Sequence, residues 1–224
     1  MKSLLRLRSS LSCPPLRLAV MLALAMPVLW IPAAAAQQDA AVRLREPEAA
    51  REPLNSERIE QRFGSYGIEV LESDGRLRVS HLYSESGGVR TGRTFAVVSY
   101  PEAVDPALAE QHEEITDGGS IGAVFTRSGW TVTKRHLWFG ELVSTGESAS
   151  LMRIAEGLPV AAHVYVLRVA RDGRAYDYAT IAEVHHPEYL RLEELEPIYG
   201  PAEPTGGDAA LVRRMLSATR DAMR

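Results

Sequence analysis

The sequence predicts an α+β fold, a single antiparallel β-sheet with flanking helices, on three observations. Segments 68–71, 77–83, 94–100 and 130–143 are rich in branched and aromatic residues and bounded by turn residues, as strands are. Segments 164–170 and 175–184 flank Asp172-Gly173, the favoured type I′ hairpin pair because both central residues take positive φ. Helical signals fall between these hairpins and do not alternate one for one with strands, which excludes an alternating parallel sheet.

Taken in chain order, the first element is a leader. Lys2, Arg6, Arg8 and Arg17 are basic with no acidic residue among them, 18–29 is almost wholly apolar, and 33–36 is all alanine. This pattern reads as an export signal, residues 1–36, cleaved after Ala36. The apolar core is shorter than the roughly 20 residues of a bilayer span, and Pro27 interrupts it. The expected mature protein is periplasmic or secreted, with no membrane association once the signal is removed. Cys13 is the only cysteine and leaves with the leader, so no disulfide forms and the fold must stand on its core.

The leader holds four of the 25 basic residues and none of the 29 acidic ones. The mature chain is therefore net acidic, which argues against nucleic acid or an anionic membrane surface as partner. One local basic pocket for an anionic small molecule remains compatible with that balance.

Residues 37–54, polar with Pro47 and Pro53, read as a flexible tether. A domain over 55–196 follows. Its first helix caps on Ser56, runs through Ile59 and Phe63 and stops at Gly64. The strands at 77–83 and 94–100 join across 86–88, where Gly87 and Gly88 supply the turn. Pro106 opens a helix through Leu108, His112 and Ile115 that ends at Gly118-Gly119, and 120–127 forms a short one. Segment 144–159 reads as an insertion, 192–196 is short and acidic, and 197–208 is a Pro/Gly-rich linker. Residues 197–224 thus form a linker and a C-terminal helix, with Leu211, Met215 and Ala218 on one stripe and Arg213, Arg214 and Arg220 outside it.

Three places carry candidate chemistry. Arg78 lies among Leu77, Val79 and Leu82, and a shielded guanidinium suits a carboxylate because its planar fork meets both oxygens. Glu183 sits between apolar neighbours in a strand poor in charge, where desolvation raises a carboxyl toward a usable acid. At Ile121-Gly122, glycine permits close approach of the backbone to a ligand. The same residues also fit a solvated strand charge, a structural ion pair and an ordinary helix start. Of the six histidines, His185 and His186 are adjacent on a strand and point to opposite faces, and the others show no ligand spacing, so no metal site is expected. Tyr176 and Tyr178 share a strand face and read as a packing stripe. There is no Gly-x-Ser-x-Gly, phosphate loop or catalytic cysteine to support other chemistries.

The order of Leu77-Arg78, Gly92-Arg93-Thr94, the segment from Ser120 to Phe125, and Ala182-Glu183-Val184-His185-His186-Pro187 resembles the chorismate pyruvate-lyase family over roughly residues 56–190. The resemblance implies a chorismate-lyase-like sheet with helices closing over a buried ligand. It implies Arg78, Ile121 and Gly122 as substrate-binding residues and Glu183 as the catalytic proton donor, with no cofactor. Lys134 stands where the family commonly has arginine, and Trp138 where it commonly has an acidic residue. Two functions follow from the resemblance. One is a cofactor-independent carbon–oxygen lyase that eliminates pyruvate from chorismate to give 4-hydroxybenzoate; the other is an exported, non-catalytic binding protein for a small aromatic carboxylate.

Mass spectrometry of the native protein is expected to find an N-terminus at Gln37. Recovery from the membrane fraction with segment 18–29 intact would contradict the cleavage.

Overall fold

The computed structural model describes residues 53–224, which lie within the compact unit Glu48–Arg224. The export signal and nearly all of the expected tether lie outside the described residues. Helix α1 (Asn55–Phe63) ends at Gly64, whose φ of 78° is the left-handed cap that glycine adopts without strain. Its start differs from the expected Ser56 cap. Leu54 holds the cap position, and the Glu57 carboxylate accepts the Leu54 N–H at 2.8 Å, which leaves Ser56 inside the helix.

Strands β1 (Gly67–Ser73), β2 (Leu77–Ser86) and β3 (Val89–Ser99) form an antiparallel meander, with β2 and β3 turning at Gly87-Gly88. A 3₁₀ turn over Pro106–Leu108 leads into α2 (Ala109–Thr116) and then α3 (Ile121–Arg127). Asp105 caps the turn by accepting the Ala107 N–H at 2.9 Å. Strand β4 (Thr131–Val143), helix α4 (Gly146–Met152), and the long hairpin of β5 (Pro159–Arg171) and β6 (Arg174–His185) follow. Asp172 and Gly173 at the hairpin tip have φ of 53° and 75°, the type I′ signature. Helices α5 (Leu192–Tyr199) and α6 (Asp208–Ala222) close the chain.

The six strands make one sheet in the order β1-β2-β3-β6-β5-β4, and every neighbouring pair is antiparallel. This is the α+β architecture expected from sequence. Both faces are covered, which explains the continuous burial along β2, β5 and β6 in place of an alternating pattern. On one face Val79, Val97, Ala182 and Val164 pack with Met152 and with Val212, Met215 and Met223 near the C-terminus. On the other, two helix groups share the surface. Helices α2 and α3 bury Ile115, Val124 and Phe125 at one end, while α1 and α5 bury Ile59 and Leu195 at the other.

The linker expected from Pro197 onward needs correction. Pro197 does not begin a linker: it lies inside α5, which Leu195, fully buried, and Tyr199 anchor to the sheet. Helix α6 is the C-terminal helix expected from sequence, docked with Val212, Met215 and Thr219 toward the sheet. Its first turn is fixed by Asp208, which accepts from Thr205 N at 2.6 Å and from Arg135 Nη1 at 2.7 Å. Among the described residues no helix is long and apolar enough to cross a membrane.

Met215→Ala should cost about 2–3 kcal/mol in denaturant unfolding, whereas Arg213→Ala, on the exposed side, should stay within about 0.5 kcal/mol. Equal effects would contradict the docking of α6. Arg135 and the Thr205 donors hold the Asp208 carboxyl well below its ordinary 3.8. A depressed carboxyl stabilises the fold above its unfolded pKa and loses that contribution as pH falls further. Asp208→Asn should therefore flatten the loss of stability below about pH 4, measured as midpoint against pH. An unchanged acid slope would contradict this.

Candidate functional site

The sheet face between the two helix groups carries a cavity of about 70 Å³, room for several water-sized groups. Register explains what lines it. Arg78 on β2 lies opposite Val98 on β3, which lies opposite Ile181 on β6, while Ser80 aligns with Ala96 and Ala96 with Glu183. Alternation along each strand then sends Arg78, Ser80, Leu82, Ala96, Val98, Ile181 and Glu183 to one side, and all of them line the cavity. Leu54, Asn55 and Ser56 from α1 and its cap, and Ile121 and Gly122 from the start of α3, close over them. The four residues singled out from sequence, Arg78, Ile121, Gly122 and Glu183, thus come together on one cavity.

Arg78 is 1% exposed despite being an arginine on a strand. Its Nη1 donates to the carbonyls of Ile115 at 2.8 Å and Gly119 at 2.9 Å, which ties the guanidinium to the end of α2 and the turn before α3. Its Nε and Nη2 are buried without a hydrogen-bond partner. These two nitrogens form one edge of the planar fork, the edge that receives a carboxylate side-on. Among the described residues no carboxylate forms an ion pair with Arg78. The buried Tyr100 phenol lies beside the guanidinium: burial pushes it up, and the charge and close hydrogen-bonding approach of Arg78 partly counter that, although the hydroxyl misses the geometry of a formed bond. A solvated surface charge is excluded.

Glu183 is 5% exposed. Its partner is not an arginine: Oε2 meets His163 Nε2 at 2.8 Å, and Oε1 accepts from the Tyr165 hydroxyl at 3.2 Å. Desolvation alone pushes the carboxyl up, as expected from sequence. The His163 hydrogen bond and the charges of His163 and Lys134 outweigh it and hold Glu183 below the usual carboxylate range. The expected upward shift is therefore reversed, and the group is an acceptor at neutral pH.

Gly122 has a packing role that the sequence did not announce. A Cβ there would sit 2.7 Å from Leu54 Cδ2, so the glycine lets α3 close against the residue that starts α1.

Several site residues were not legible from sequence. Lys134 and Tyr165 line the cavity, and His136, His163, Phe139 and Tyr199 form an aromatic group behind it, with the His136 and His163 rings stacked 5.4 Å apart. Burial lowers His136, to about 3, and likewise His185, to about 3. The i, i+2 pairs His163/Tyr165 and Glu183/His185 in the Asp-Gly hairpin were the available signal. Among the described residues, His163, Glu183 and His185 also bring three possible metal donors within 4.8 Å of one another. Spacing along the chain joins only Glu183 and His185 on β6; His163 comes to them from β5 through strand pairing.

No protein-family model matches the chain, and no curated protein matches it. Among solved structures, the C-terminal domain of the histidine utilization repressor from Pseudomonas syringae pv. tomato is similar at 11% identity, over 57% of this chain and 96% of that one, with a TM-score of 0.36. The PhnF C-terminal domain is similar at 10% identity over 63% and 79%, with a TM-score of 0.37. A GntR-family transcriptional regulator from Bacillus cereus is similar at 14% identity over 57% and 90%, with a TM-score of 0.32.

Gly122→Val should force Leu54 out of place and cost about 1–3 kcal/mol of stability. Unchanged denaturation would show that α3 and Leu54 are not in tight contact.

Proposed function

We propose that the protein binds a small aromatic carboxylate in this cavity, with Arg78 as its anchor. The observation that carries the reading is the guanidinium edge of Nε and Nη2, buried and without a partner. An uncompensated buried ion costs several kcal/mol. A carboxylate answers both donors with two parallel N–H···O bonds and supplies the missing charge. Leu54, Leu82, Val98, Ile121, Leu167 and Ile181 offer apolar walls for a ring. Glu183, held ionised, has lone pairs left to accept a phenolic hydroxyl on the far side of such a ring. A ligand such as 4-hydroxybenzoate has this distribution of groups.

The reading favours binding over elimination of pyruvate from chorismate. A lyase of the resembled type requires a proton donor, and the His163 pairing keeps Glu183 from holding a proton at neutral pH. The proposed export supports the same choice, because it separates the protein from a cytoplasmic metabolite such as chorismate.

Calorimetry with 4-hydroxybenzoate should detect one site. Arg78→Ala should weaken it by about 2–3 kcal/mol, close to a hundredfold. Arg78→Lys, which keeps the charge but lacks the paired edge, should recover only part of that loss. Circular dichroism confirms that each variant folds. Incubation with chorismate should release no pyruvate. Pyruvate release abolished by Glu183→Gln would select the lyase instead, and unchanged affinity in a folded Arg78→Ala would contradict the site.

A further inference from the structure

We infer that His163, Glu183 and His185 form a binding site for a borderline transition-metal ion of the zinc class, in the wall behind the carboxylate cavity. The three residues converge because β5 and β6 pair His163 with Glu183, and His185 follows Glu183 by two residues on the same strand face. All three are buried, and one donor atom from each lies within 4.8 Å of the others. Two imidazoles and one carboxylate are a ligand set that zinc takes in open sites, with the fourth position left to water or another ligand.

A second observation points the same way. His185 is fully buried, its Nδ1 meets Thr94 Oγ1 at 3.2 Å, and its Nε2 has no partner. A ring nitrogen held by an outer hydroxyl, with the other nitrogen left to ligate, is the arrangement by which proteins orient metal-binding histidines. Thr94 is itself fixed, accepting from Asn55 Nδ2 at 3.1 Å. On the carboxylate side, the Tyr165 hydroxyl donates to Glu183 Oε1 at 3.2 Å and leaves Oε2 toward His163. As a purely hydrogen-bonded cluster, the group strands a fully buried His185 nitrogen, which is costly; an ion gives that nitrogen a bond.

The charge balance narrows the ion. Glu183 is the only carboxylate in the group, and Lys134 adds positive potential close by. Calcium and magnesium need several oxygen ligands, so this site disfavours them. A metal that gains most from imidazole nitrogen tolerates the lone carboxylate.

The test uses the full-length protein, stripped with chelator and then titrated with Zn²⁺, and with Co²⁺ for its visible absorption. The expected result is one ion per chain after desalting and visible Co²⁺ bands of a four-coordinate site. His185→Gln should weaken Zn²⁺ binding at least a hundredfold, with circular dichroism as the folding control. Should that variant fail to fold, Thr94→Val keeps every ligand and should still weaken binding about ten- to a hundredfold. His81→Gln, which removes the separate His81–Glu69 pair, should change nothing. Substoichiometric retention, or Zn²⁺ affinity indifferent to His185→Gln and Thr94→Val, would overturn the site. Carboxylate binding is read separately by calorimetry, so its failure with Zn²⁺ binding intact would count against the pocket's ligand and not against the metal.

Discussion

The arrangement of this protein turns on one buried cation. Arg78 enters the interior from β2 with a single nitrogen satisfied, by the carbonyls of Ile115 and Gly119. Those carbonyls belong to the end of α2 and to the turn before α3, so the same side chain that faces the cavity also pins the helices that roof it. A fixed guanidinium with an unanswered edge is an unstable companion for an apolar core unless an anion completes it. The cavity's size, its apolar walls and its position beside Arg78 are consistent with that requirement.

The rest of the fold makes such a cavity possible. A sheet with both faces covered leaves no room for a ligand unless its covering layer is split. Here the layer over one face is α4 and α6, packed continuously on Val79, Val97, Val164 and Ala182. The layer over the other face is divided between α2–α3 and α1–α5, and the gap between the two groups is the pocket. The polar groups sit where the strands carry them into that gap. Glu183 is thereby flanked by Lys134 from β4 and His163 from β5, which keep it charged in surroundings that would otherwise neutralise it.

Much of the architecture could be read directly from residues. The Asp172-Gly173 turn, the glycine pair at 87–88 and the stop at Gly64 each demand positive φ, and each falls where the chain turns. The cavity residues Arg78, Ile121, Gly122 and Glu183 were legible as a set only through the order of their motifs. The histidine cluster was not, for a specific reason. Counting back from the type I′ turn places His163 opposite Ala182, since Arg168 pairs with Asp177. A bulge between Leu167 and Arg168 shifts the register by one residue, so His163 meets Glu183 instead. A shift of one residue exchanges the faces of a strand, and no local signal announces it. The direction of the Glu183 shift followed from the same gap: burial was foreseeable, its partner was not.

On the proposed function, the Nε–Nη2 edge of Arg78 receives a ligand carboxylate. The most direct measurement is the side-chain Nε–H resonance of Arg78, assigned by comparison with Arg78→Lys and followed during addition of 4-hydroxybenzoate. A charge-assisted bond to carboxylate should move this proton strongly downfield and protect it from exchange with water, saturating with the calorimetric affinity. A resonance that stays in place while ligand binds would show that Arg78 serves only to hold the helices.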